Sequence, residues 1–148
     1  MMSFLSRTQS LLSFIVIFFL AVSCDFSGES DEEACENTAC TLIFISLNVE
    51  VVNSADAPLA LDSYTVTDVQ SGRDVTPNFS NTPFEDMQAS GNYTFFNDSW
   101  ADEYRNESTV LRFSGLLDGM EVVTAEFEVM ADCCHVSLVS GDTKIIVD

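Results

Sequence analysis

The sequence predicts a single all-β domain, an Ig-like or transthyretin-like antiparallel β-sandwich of about seven strands. Three observations predict it. Apolar residues recur with a period of two from Leu42 onward, turn residues interrupt the chain at intervals of about ten residues, and no convincing amphipathic helix lies beyond the N-terminal segment. A small closed barrel is the alternative architecture for the same pattern.

In the first strand, running from Leu42, residues Ile43, Ile45, Leu47, Val49 and Val51 share one face and Ser46, Asn48 and Glu50 the other. Asn53 to Pro58 then supplies turn residues, and Pro58 cannot donate to a ladder. Tyr64 to Val69 is the second strand, closed by Gln70-Ser71-Gly72-Arg73, where Gly72 can take a positive φ. Thr76 to Ser90 contains Pro77 and Pro83 with little alternation and reads as an irregular excursion holding one short helical turn. Asn92 to Asn97 and Val110 to Ser114 are further strands. The clearest hairpin turns at Asp118-Gly119 and continues as Glu121 to Cys133, with Val123, Ala125, Phe127, Val129 and Ala131 facing one way. Val136 to Val139 and Lys144 to Val147 flank Gly141-Asp142 as a last hairpin.

The N-terminus carries a different signal. Arg7 is the one charged residue in Met1 to Ser10, and the apolar run Leu11 to Val22 is shorter than the roughly 20 residues a membrane-spanning helix needs. Leu20-Ala21-Val22-Ser23-Cys24 follows and resembles a lipobox, the signal read by bacterial lipoprotein-processing enzymes. Small Ser23 fits, whereas the usual Leu, Val or Ile three residues before the cysteine is here Ala21, with Leu20 one step earlier. The resemblance implies a signal peptide at 1–23, a lipid-modified Cys24, and a membrane anchor through its acyl chains. The competing reading is an ordinary secretory signal with an incidental thiol at Cys24. Residues 24–40 read as an acidic flexible tether, and 41–148 as the sandwich. The run Ser30-Asp31-Glu32-Glu33 also resembles signals that send lipoproteins to the outer face of the outer membrane; a plain charged spacer has the same composition.

Beyond residue 23 the chain has four basic against 24 acidic residues, a net charge of −20. Such a surface repels nucleic acid and anionic head groups, so no nucleic-acid partner is expected. Setting Cys24 aside leaves Cys35, Cys40, Cys133 and Cys134, an even number. In an exported protein these read as two disulfides. Pairing adjacent Cys133 with Cys134 needs a strained ring, so the N-terminal pair is expected to bond to the C-terminal pair, although the sequence leaves local pairing open. Zinc held by these cysteines and His135 fits poorly, because adjacent Cys133 and Cys134 alternate across a strand. His135 is the sole histidine, so any nucleophile–histidine–acid site must use it.

One loop stands out for binding. Asn97, Asp98, Asp102 and Glu103 surround Trp100 and Tyr104, which suits calcium through oxygen ligands or a sugar ring through aromatic stacking. The spacing lacks the glycine and alternating acids of a calcium loop, and the plainer reading is an exposed acidic turn with an aromatic core plug.

Val49 to Leu59 followed by Tyr64 to Gly72 resembles the opening of a carboxypeptidase-regulatory-like domain, a transthyretin-type sandwich, with Ala57 where that family has glycine before the proline. The tail from Asp132 to Gly141 resembles endings of small exported lipoproteins. These resemblances imply binding or scaffolding and carry no catalytic residues. The expectation is therefore a non-enzymatic lipoprotein without cofactor, anchored at Cys24 to the outer membrane on its periplasmic or surface face. Its sandwich would bind an envelope protein or carbohydrate, or serve envelope structure. The alternative is a small secreted hydrolase, or a calcium- or carbohydrate-binding protein, using loop 97–104.

Overall fold

The structure is a computed structural model that describes residues 35–78 and 84–148. The expected signal peptide, Cys24 and the tether up to residue 34 lie outside the described residues. Among the described residues the alternating pattern forms seven strands: β1 (Ser46–Asn53), β2 (Ser63–Asp68), β3 (Asn92–Asn97), β4 (Ser108–Leu117), β5 (Met120–Ala131), β6 (Val136–Ser140) and β7 (Lys144–Val147). Helix α1 (Phe84–Ser90) precedes β3, within the excursion expected to hold a helical turn. The strands make two sheets, ordered β3-β1-β7 and β2-β4-β5-β6, so the fold is the expected all-β sandwich.

Period-two alternation decides which side chains meet between the sheets. In β4, Thr109, Leu111, Phe113 and Gly115 point inward, and β5 matches them with Val123, Phe127, Val129 and Ala131. The β4–β5 hairpin turns where expected: Asp118 and Gly119 take φ of 51° and 73°, the paired left-handed conformations of a tight hairpin turn. Phe95 of one sheet stacks on Phe127 of the other, with centroids 4.1 Å apart. Tyr64, Tyr93 and Phe113 form a second aromatic group, Tyr64 lying 5.5 Å from Tyr93 and 5.2 Å from Phe113. Tyr93 is fully buried and its hydroxyl is fully used, donating to the Leu59 carbonyl and accepting the Leu61 N–H, both at 2.7 Å. Removing such side chains from water stabilises the sandwich by about 1.5–3 kcal/mol each.

The structure corrects the start of β1, the end of β5, which stops at Ala131 and not at Cys133, and the connection of the last two strands. β1 begins at Ser46, four residues later than expected from Leu42. Its partner β3 ends at Asn97, and the Ile45 N–H is taken by the Asp98 carboxylate instead of a strand carbonyl. The alternation of Leu42 to Ile45 therefore has no neighbouring strand to pair with it. The last two strands are also not a hairpin. β6 pairs antiparallel with β5, whereas β7 crosses to the other sheet and runs parallel to β1, Glu50 opposite Lys144. The crossing uses Gly141 at φ 126°, where a Cβ would lie 2.6 Å from the Phe127 ring and 2.9 Å from the Glu126 carbonyl. Only glycine passes there.

Candidate functional site

The end of the sandwich where β5 stops gathers most of the polar chemistry. Beyond Ala131 the chain turns through Asp132-Cys-Cys-His135 into β6. Asp132 builds that turn, its Oδ1 accepting the Cys134 and His135 N–H groups at 2.7 and 2.8 Å. Those two N–H groups hold the Asp132 carboxyl below its usual range. Disulfides join Cys35 to Cys133 and Cys40 to Cys134, each with Cα atoms 5.4 Å apart. The N-terminal pair is thus bonded to the C-terminal pair, as expected. The cysteines sit in this turn and not on the strand expected to run to Cys133, each sulfur is bonded to a separate partner, and none is available as a zinc ligand.

His135 follows directly and closes a ring of hydrogen bonds. Its Nδ1 lies 2.7 Å from Asp98 Oδ2, and its Nε2 lies 2.8 Å from Thr41 Oγ1. The carboxylate can only accept, so Nδ1 carries a proton, and in the neutral ring Nε2 accepts from the threonine hydroxyl. Asp98 Oδ2 also accepts the Ile45 N–H at 2.7 Å, and Oδ1 accepts the Val136 N–H at 2.9 Å. Burial alone would push the pKa of Asp98 up. The Ile45 and Val136 N–H groups and the His135 ring outweigh it and hold the carboxyl low.

Loop 97–104 does not gather its ligand-type side chains around one point. Asn97 caps the 3-10 turn Asp98–Trp100, its Oδ1 accepting the Ser99 N–H at 3.0 Å. Asp98 turns toward His135 as described. Asp102 pairs with Arg105 at 2.5 Å, and Glu103 pairs with Arg73. Tyr104 is buried and donates to Asp68 Oδ2 at 2.8 Å while accepting from Arg73 Nη2 at 3.0 Å. The Arg73 guanidinium lies 5.2 Å from the Trp100 ring centroid and 5.7 Å from that of Tyr104, taking one face of each. Asp68 is buried too. Burial opposes its charge, but the Ser71 N–H, the Tyr104 hydroxyl and the Gln70 N–H together hold it below its usual range. The loop is therefore an interlocked acid–arginine–aromatic unit. Among the described residues no group of three or more histidine, cysteine or acidic side chains is arranged to hold a metal ion.

Elsewhere a cavity of about 340 Å³ opens between Tyr64, Thr76, Pro77, Phe84 and Met87, with Asp62 also lining it. Its neighbours 79–83 lie outside the described residues.

Sequence reasoning placed Asp98 in the binding loop and noted His135 as the sole histidine, but did not join them. Thr41, Asp68, Arg73 and Asp132 were missed altogether. Thr41 carried a usable signal, since it follows a cysteine expected to bond beside His135. No family model, no curated protein and no solved structure matches the chain.

Proposed function

We propose that this chain is an exported lipoprotein, held to a membrane by lipid on Cys24, whose sandwich binds a partner or serves envelope structure without catalysis. The observation that carries the reading is the pair of long-range disulfides, Cys35–Cys133 and Cys40–Cys134. Such bonds persist in oxidising compartments, which is where a lipobox would send the chain. The acidic surface, at net −20 beyond residue 23, suits a non-adhesive exported domain better than a nucleic-acid binder. The testing experiment is intact-mass and peptide-mass analysis of the protein purified from its native host. A chain beginning at Cys24 with acyl mass added is the expected result; an unmodified Cys24, or a chain beginning at Met1, would sink the reading.

One observation favours a second reading. Thr41, His135 and Asp98 are hydrogen-bonded in the order of nucleophile, base and orienting acid, the sequence of parts used for acyl transfer. A small hydrolase would use Thr41 Oγ1, with Asp98 supplied by the acidic loop. The same carboxylate is also tied to two backbone N–H groups, which suits a clamp at least as well. Covalent labelling of Thr41 by a fluorophosphonate, abolished in Thr41→Val, would favour the hydrolase; an unlabelled wild-type chain would leave the clamp.

A further inference from the structure

The hydrogen-bond ring around Asp98 has a three-residue loop hanging from it. Thr41 is bound to His135 and Ile45 to Asp98, and these two partners bind each other. Between the pinned ends stand Leu42, Ile43 and Phe44, with relative exposures of 105%, 65% and 62%. Cys40 fixes the loop again through its disulfide to Cys134, the neighbour of His135. Three consecutive large apolar side chains are thus held out into solvent by two polar clasps and a covalent bond, rather than folded onto the sandwich. Scattered exposed apolar residues are ordinary, but a pinned and contiguous group marks an interaction surface.

We propose that Leu42, Ile43 and Phe44 insert into the surface of the bilayer that carries the Cys24 anchor, setting the orientation of the domain on the membrane. This rests on the lipoprotein reading above. The length of chain before the loop selects this occupant. Ten residues lie between Cys24 and Cys35, making eleven Cα-to-Cα steps with a reach of at most roughly 36–40 Å at about 3.3–3.6 Å per residue. Cys35 and Cys40 are bonded to neighbouring cysteines, so the tether enters the domain at the clasp that holds the loop. The chain that carries the anchor therefore joins the domain at the end that bears the apolar loop. Charge selects the bilayer composition. The loop has no ionisable side chain and Asp98 behind it is nearly buried, so its tip can approach zwitterionic head groups without burying a carboxylate. The strongly acidic remainder disfavours an anionic surface. Leucine, isoleucine and phenylalanine are the side chains that settle at the head-group and acyl boundary when presented on a polar scaffold.

The test uses the full mature chain carrying its lipid, incorporated into phosphatidylcholine vesicles with brominated acyl chains. Phe44→Trp in a Trp100→Phe background is expected to show blue-shifted emission and severalfold quenching. Met120→Trp in the same background reports from the β4–β5 turn, at the opposite end of β5, and should remain unquenched. The unsubstituted chain gives a second readout, since amide exchange across 42–44 should slow severalfold on vesicles relative to Cys24→Ser chain free in solution. Replacing part of the phosphatidylcholine with phosphatidylglycerol should weaken both effects. Acylated Cys24 with Phe44→Trp unquenched and exchange unchanged would overturn the proposal alone. An unacylated Cys24 in the mass spectrum would overturn the anchoring reading and this proposal with it.

Discussion

His135 Nδ1 stands 2.7 Å from Asp98 Oδ2, the same oxygen that receives the Ile45 N–H, so one carboxylate ties the β5–β6 turn to the segment entering β1. Because its folded pKa is depressed, Asp98 contributes stability that is fully present above its unfolded value of about 3.9. That contribution is lost as pH falls through the lower folded value. Asp68 and Asp132 are depressed in the same sense and act in the same window. Urea midpoints are therefore expected to be insensitive to these groups between pH 5 and 7 and to fall below about pH 4. Asp98→Asn should lower stability at neutral pH by about 1–3 kcal/mol and flatten the acid limb, as seen by comparing urea titrations of both chains at the two ends of this range.

The two disulfides should not be worth the same twice. Each spans 94 or 98 residues, and the first to form closes a loop worth about 4.7 kcal/mol in the chain-entropy model. Once it is made, the second closes only the short circuit through Cys35–Cys40 and Cys133–Cys134, worth about 2.5 kcal/mol by the same formula. Replacing either pair by alanines is expected to cost about 2–3 kcal/mol, and replacing both about 7 kcal/mol. A double-mutant cycle on denaturation free energies measures the coupling; additive losses would show that the loops are energetically independent.

Loop 97–104 gives a contrast between buried and exposed members of one network. Tyr104→Phe removes the hydroxyl that Asp68 and Arg73 share in a buried setting, an expected loss of about 1–3 kcal/mol. Glu103→Gln weakens a pair whose side chains are both over two-fifths exposed, and should cost less than about 1 kcal/mol. Thermal or urea unfolding of the two variants decides it. Equal effects would mean that the buried hydroxyl contributes no more than the exposed ion pair.

How much of this was legible depended on whether the determining contact was local. Alternation in β5 and the Asp118-Gly119 turn depend on neighbours within a few residues, and both stand where the pattern put them. The start of β1 did not, because Leu42 to Ile45 alternates as a strand does but lacks a partner once β3 turns at Asp98. The destination of β7 was equally hidden. A glycine between two short apolar runs fits a hairpin and a crossing alike, and the choice is made by Phe127, fourteen residues upstream of Gly141. Among the site residues, acids and aromatics close together in loop 97–104 fit a ligand loop and an exposed acidic turn with an aromatic plug alike. What engages Trp100, Glu103, Tyr104 and Asp98 is Arg73, about thirty residues away, and His135, further still on the other side, while Asp102 stays exposed beside Arg105.

The crossing at Gly141 offers the sharpest single-residue test of the sheet order. At φ 126° an L side chain is strained by about 1–3 kcal/mol, and here it would also press on the Phe127 ring and the Glu126 carbonyl. Gly141→Ala is therefore expected to lose more than that strain alone, because Phe127 is locked by its stack on Phe95 and cannot turn aside freely. If the tail were instead a hairpin returning beside β6, the same substitution would fall in an exposed turn. The loss would then be confined to a turn glycine's ordinary cost. Amide exchange across β1 separates the two cases. Parallel pairing with β7 covers Glu50 to Asn53, so Gly141→Ala should speed exchange there while leaving the β4–β5 hairpin protected.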